Sequence, residues 1–209
     1  MFCPTSTGAR RALDSQSFTV AEASRILKKT LKSLGYGDEM AELGVWSALW
    51  LERRGVHGVL ELVVYMLLIK DLRFDDLKPR RHDEYGLSGI CPFMLAAFLA
   101  SREDLLLEKK EVALGAPASP NLFAPGVTDL LSQSGLSLRI RHLNYACLFS
   151  KDGVSFESER IGAWGLVAAE DNGPMFLELT TDKATGLRKL DSIELPKKRL
   201  GEDGRLNLD

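Results

Sequence analysis

The chain has 209 residues, of which 45% are hydrophobic and 27% are charged, and its formal net charge is -2. A chain of this length can bury a substantial hydrophobic core, so we expect a soluble globular protein. Residues 1–81 carry a net charge of +3 and residues 82–209 a net charge of -5. Neither half has the basic surplus that is typical of nucleic-acid binding, and we expect no nucleic-acid partner.

The cysteines indicate the compartment. Cys3, Cys91 and Cys147 are odd in number, widely separated and without a C-x-x-C pair, which argues against a disulfide framework and against a zinc site. Residues 1–16 are polar and contain no apolar stretch of the kind found in a secretory signal. We therefore expect a cytoplasmic protein with a disordered N-terminal segment and no bound metal.

Two amphipathic helices are predicted first. Thr19 and Glu22 form the pattern of a capping box, in which each side chain satisfies the backbone amide of the other residue. Apolar residues then recur every three or four positions, and Gly35 can adopt the left-handed conformation that ends a helix. Asp38 can cap a second amphipathic helix, which ends before Gly55. The two helices form an antiparallel hairpin.

A third helix follows the segment Gly55-Val56-His57-Gly58. Residues 59–69 contain one charged residue, Glu61, and so have no polar face to offer water. Spanning a bilayer takes ~20 apolar residues, and this run is too short for that. We expect no membrane contact, and we predict that this helix is the buried centre of the helical layer.

The segment after the third helix contains the next candidate residue. Residues 71–89 are rich in charge and are predicted to form a long loop. Residues 91–99 indicate a short buried helix that begins at Pro92 and has Cys91 at its cap. A helix N-terminus favours a thiolate, which makes Cys91 a candidate reactive thiol. The alternative is that Cys91 is a small buried hydrophobic residue.

From residue 108 the pattern becomes extended. We predict strands at residues 112–114, 136–141, 145–149 and 154–159, with a short helix at residues 127–134. Asp152 and Gly153 suit a type I′ hairpin turn. A second hairpin is predicted to join residues 164–169 to residues 175–180, and a last strand is predicted at residues 187–195.

The predicted fold class follows from this order of elements. It is α+β, with an N-terminal layer of about four helices packed on a C-terminal antiparallel β-sheet. Residues 17–195 form a single domain, with residues 17–107 helical and residues 108–195 rich in strands. Residues 196–209 are predicted to be a loose tail.

The order of several features resembles a bacterial family known only as a domain of unknown function. These features are the capped first helix, Gly35-Tyr36-Gly37, the helix from Trp46 to Gly55, Cys91-Pro92 and the proline-rich loop before the strands. The resemblance covers most of the chain. It implies a bacterial protein but no particular activity.

A second resemblance is local. The segment Arg54-Gly55-Val56-His57-Gly58-Val59-Leu60, with Tyr65 eight positions after His57, is similar to the N-terminal segment of the type-2 malate/lactate dehydrogenases. In that family the matching histidine is the acid/base group that faces the substrate hydroxyl, a role suited to a side chain that titrates near neutrality. The resemblance implies His57 as the catalytic candidate.

The chain also differs from those enzymes. Val56 stands where they have a serine, and Glu61 stands where they have an arginine that grips the substrate carboxylate. We find no G-x-G-x-x-G and no P-loop, and we therefore expect no dinucleotide cofactor. His57 then has a second reading, as a structural residue between two glycines at a helix start.

Two functions stay open at this stage. The first is a non-enzymatic binding or accessory protein of bacterial metabolism, with a small-molecule or protein partner and with self-association as a homodimer among the options. The second is a small dehydrogenase-like enzyme that acts on a polar hydroxy- or keto-acid, with His57 as acid/base and Tyr65 or Cys91 beside it. We favour the first, because the arginine and the phosphate loop are both missing.

Overall fold

The structure of the protein is a computed structural model. It describes residues 17–78, 80–82, 86–88, 91–109, 111–115, 119–142, 145–156, 174–181 and 205–207. In these residues the fold is α+β, as the sequence predicts. The helices are α1 (Val20–Ser33), α2 (Asp38–Glu52), α3 (Gly58–Ile69), α4 (Pro92–Ala100), α5 (Glu103–Lys109) and α6 (Ala124–Ser132), with 3₁₀ turns at Phe74–Leu77 and Pro120–Phe123.

The strands of the described residues pair in three antiparallel sheets. Their bounds are β1 (Ser17–Thr19), β2 (Arg80–His82), β3 (Gly86–Ser88), β4 (Glu111–Gly115), β5 (Ser137–His142), β6 (Tyr145–Ser150), β7 (Gly153–Phe156), β8 (Pro174–Thr180) and β9 (Arg205–Asn207). The main sheet has five strands in the order β4-β8-β5-β6-β7. The other two sheets are the pairs β1-β9 and β2-β3.

The start of α1 is the capping box that the sequence predicts. The Thr19 hydroxyl accepts the Glu22 amide at 3.2 Å, and the Glu22 carboxylate accepts the Thr19 amide at 2.8 Å. The start of α2 differs from the prediction, because its N-cap is Gly37 and Asp38 is the first helical residue. Asp38 instead forms an ion pair with Lys32 of α1 at 3.0 Å. As an acidic residue in the first turn of α2, Asp38 also complements the dipole of that helix.

Gly58 brings α3 into close contact with α2. A Cβ atom at this position would lie 2.2 Å from the carbonyl oxygen of Ala48 and 2.6 Å from the Cβ of Leu51. Only glycine permits so close an approach of the two helices. This contact turns Leu62 and Tyr65 of α3 toward the core, where both are fully buried.

The other side of α3 faces solvent. Leu67 is 60% exposed, and the remaining exposed aliphatic residues of this helix are Leu60, Val63 and Leu68. The prediction that α3 is the buried centre of the helical layer is therefore wrong for this face. The sequence pattern failed here because a helix that is apolar all round does not reveal which side meets the core.

Helix α6 lies between the helical layer and the main sheet. It packs on α2 and α4 on one side and on β5 and β6 on the other. Like the 3₁₀ turn before it, α6 follows β4 in the chain, whereas α1 to α5 precede β4. Gly135 has a φ of +70° just after α6, as the sequence predicts for the residue that stops this helix.

The hairpin of β6 and β7 has a different turn from the predicted one. Ser150 pairs with Gly153, so that Lys151 and Asp152 form the loop. Neither loop residue has the positive φ that a type I′ turn needs, and the prediction of that turn type is wrong. The Ser150 hydroxyl stabilises the turn instead. It accepts a hydrogen bond from the Asp152 amide at 3.2 Å and donates one to the Gly153 carbonyl at 3.3 Å.

Strand β8 is central in the sheet. Residues 175–178 of β8 pair with β4 on one edge and with β5 on the other. The predicted hairpin between β8 and residues 164–169 is therefore wrong as a pairing, because no edge of β8 is left for it there. Residues 164–169 and the strand predicted at residues 187–195 lie outside the described residues, as does the N-terminal segment 1–16.

Two segments that were predicted to be loops contain strands. The segment 71–89 holds the 3₁₀ turn Phe74–Leu77 and the hairpin of β2 and β3. The tail after Pro196 holds β9, in which Leu206 pairs with Phe18 of β1, so the prediction of a loose tail is wrong for Arg205–Asn207. Strands of three residues are too short for an alternating pattern to be recognised in a sequence.

We predict that Gly58→Ala destabilises the protein by about 1 to 3 kcal/mol, the usual cost of forcing an extra carbon into a packed site. Denaturant titration measures this loss. Gly153→Ala is the matched control, because a Cβ atom there meets nothing within 4 Å. Equal stability of the two variants would contradict the close contact of α3 with α2.

Candidate functional site

Tyr65 and Cys91, two of the candidate residues, lie in one buried cluster with Tyr36. The hydroxyl oxygens of Tyr36 and Tyr65 are 2.5 Å apart, and the Tyr36 hydroxyl donates to the Cys91 sulfur at 3.3 Å. Because the Tyr36 proton is used in this way, Tyr65 is left to donate to Tyr36. The sulfur also accepts the Met94 amide at 3.4 Å, which makes Cys91 the N-cap of α4 as the sequence predicts.

This tyrosine–cysteine cluster has the properties of a structural core. Cys91 is 0% exposed, and the rings of Tyr36 and Tyr65 both pack edge-on against Phe93. Burial, and next the nearby Cys91, raise the pKa of both tyrosines well above the usual range. Both phenols therefore stay protonated, and neither they nor the thiol is accessible to a substrate.

His57 does not join this cluster. It is the N-cap of α3 and is half-buried, and its carbonyl accepts the Glu61 amide at 2.9 Å. Tyr65 follows eight residues later, which is about 12 Å along a helix axis. The structure thus brings Tyr65 and Cys91 together and places His57 at the other end of α3.

Glu61 belongs to a second cluster of buried polar side chains. Glu61 is 3% exposed, and its Oε1 accepts the side-chain amide of Asn121 at 2.7 Å. Its Oε2 is buried and has no hydrogen-bond partner among the described residues. Glu52 of α2 faces the same region and accepts the Val59 amide at 3.0 Å.

Only part of this buried polar group could be predicted from the sequence. Glu61 stands out as the single charge in an apolar run, but Asn121 lies in a segment whose prolines point only to a loop. Burial is the main reason that the pKa of Glu61 is raised to about 7, and Glu52 raises it further while the Asn121 hydrogen bond lowers it. Glu61 therefore changes its charge near neutral pH.

The exposed side of α3 is the third feature. We call Leu60, Val63, Leu67 and Leu68 the apolar face of α3. All four are aliphatic and exposed, whereas Glu61, the one charged residue of the helix, points into the core. This distribution is the reverse of that of an ordinary surface helix, which keeps its charged residues in water.

Arg53 and Arg54 lie at the C-terminal end of α2. The Arg54 guanidinium stacks on the Trp50 ring at 3.5 Å and donates to the Lys151 carbonyl at 3.2 Å, which ties α2 to the turn of the main sheet. Partial burial lowers the pKa of Arg54, and the nearby charge of Arg53 lowers it further. The two cations therefore repel each other.

The part of the chain that the structure describes contains no group of three or more His, Cys, Asp or Glu side chains arranged to hold a metal ion. Nor does any described helix combine the length and the apolar character needed to cross a bilayer. The described cysteines, Cys91 and Cys147, are buried and form no disulfide bond with each other.

Comparisons with family models, with curated proteins and with solved structures find no match for this chain. The resemblances to a bacterial domain of unknown function and to the type-2 dehydrogenases therefore stay predictions. The class of protein has to be inferred from the three features above.

We predict that Cys91 reacts with N-ethylmaleimide in the native protein only as fast as the protein unfolds, because its sulfur is fully buried. Peptide mapping by mass spectrometry after timed labelling measures the rate at this position alone. Labelling in denaturant supplies the control for full reactivity. Native labelling at the rate of a free thiol would instead favour the reactive-cysteine reading.

We predict that Glu61 makes stability depend on pH. Its pKa is raised from 4.5 to about 7 in the folded chain, so its contribution is complete below about pH 4.5 and is lost as the pH rises to about 7. The loss is on the order of 3 kcal/mol. Glu61→Gln, which stays neutral, removes this dependence.

Denaturant titration from pH 4 to pH 8 measures the difference in unfolding free energy between the wild type and Glu61→Gln. The same substitution at the exposed Glu108 is the control and leaves the pH dependence as in the wild type. A constant difference between wild type and Glu61→Gln across this range would contradict the prediction, because it would show that folding leaves the pKa of Glu61 unchanged.

Proposed function

We propose that this protein is a non-enzymatic binding protein that presents the apolar face of α3 to a protein partner. The observation that supports this most is the orientation of α3, which exposes four aliphatic residues and buries its only carboxylate. Exposed aliphatic residues that form one continuous face are typical of interaction surfaces.

The energetics agree with this proposal. Burial of apolar surface is favourable by about 25 cal/mol per Å². The aliphatic side chains of the face do not gain this free energy while they stay in water. Meanwhile the carboxyl of Glu61 is removed from water, which is unfavourable unless it is neutral or well paired. A partner that covers the face recovers the first of these two losses.

The candidate catalytic residues give little support to the enzyme alternative. Tyr65 and Cys91 are fully buried, and His57 lies at the far end of α3 from them. Glu61, where the resembling dehydrogenases have their arginine, points into the core instead of toward a substrate. Tyr65, Cys91 and Glu61 instead take part in the buried hydrogen bonds described above.

The cellular compartment and the biological role are also part of the proposal. Cys91 and Cys147 are buried and form no disulfide bond with each other, which suits a reducing compartment, and we propose the cytoplasm. A role as an accessory protein of bacterial metabolism rests on the sequence resemblance alone.

The proposal predicts that Leu67→Lys changes the free energy of unfolding by less than about 0.5 kcal/mol in dilute protein, as is usual for exposed positions. Denaturant titration at low protein concentration measures it, and Leu107→Lys on α5 is the matched control because Leu107 is also exposed. A loss above about 2 kcal/mol at Leu67 alone would mean that another part of the same chain covers the face.

A thermal-shift screen against nicotinamide cofactors and small hydroxy- and keto-acids tests the enzyme alternative. A ligand at 100 times its dissociation constant stabilises the folded state by about 2.7 kcal/mol, and we expect no such shift. Turnover of one of these acids that falls on the order of 10² to 10⁴-fold in His57→Gln, with an unchanged melting temperature, would overturn the proposal.

A further inference from the structure

We draw no further inference here: the strongest candidate, the exposed apolar face of α3, already carries the proposed function, and nothing in the structure shows what covers it.

Discussion

The contact between Gly58 and the backbone of α2 fixes the orientation on which the rest of the structure depends. A side chain at this position would meet the carbonyl oxygen of Ala48, so only this face of α3 can lie against α2. With roughly 100° of rotation per residue, Leu67 lies about 180° from Gly58 on the helix. The exposure of Leu67 thus follows from a contact nine residues earlier in the chain.

Two polar contacts hold α3 in the same orientation further along its length. Glu61 is held by Asn121 of the Pro120–Phe123 turn, and Tyr65 is held by Tyr36, the residue that links α1 to α2. Hydrogen bonds between buried side chains are directional and cost free energy when they are broken, so they oppose rotation of the helix. Together these contacts explain how a helix made almost wholly of aliphatic residues keeps one side in water.

Much of the fold could be predicted from local patterns, and the particular residues show why. Thr19 and Glu22 act within one turn of helix, and Gly135 stops α6 through its own φ. The alternation around Leu138 and Ile140 likewise gives β5 directly. The pairing of β8 with β4 and β5 could not be predicted, because β4 and β8 are about sixty residues apart and no local signal links them.

The candidate site could be predicted only in part, for a similar reason. The cap position of Cys91 follows from Pro92, but its contact with Tyr36 joins residues that are 55 positions apart. Glu61 is recognisable in the sequence as the single charge in an apolar run. Whether its side chain faces water or the core depends on the helix contact at Gly58 and on the hydrogen bond from Asn121. A pattern of residues gives the period of a helix, whereas the direction of its faces is determined by packing.

The orientation of α3 places Leu62 in the core and Leu67 in water. Cysteine substitutions at these two positions, labelled with a maleimide in dilute native protein and located by peptide mapping, measure the accessibility of each face directly. We predict that Leu67→Cys reacts nearly as fast in the native protein as in denaturant, while Leu62→Cys reacts only on unfolding. Equal protection of both positions would contradict the orientation of α3 and the binding surface inferred from it.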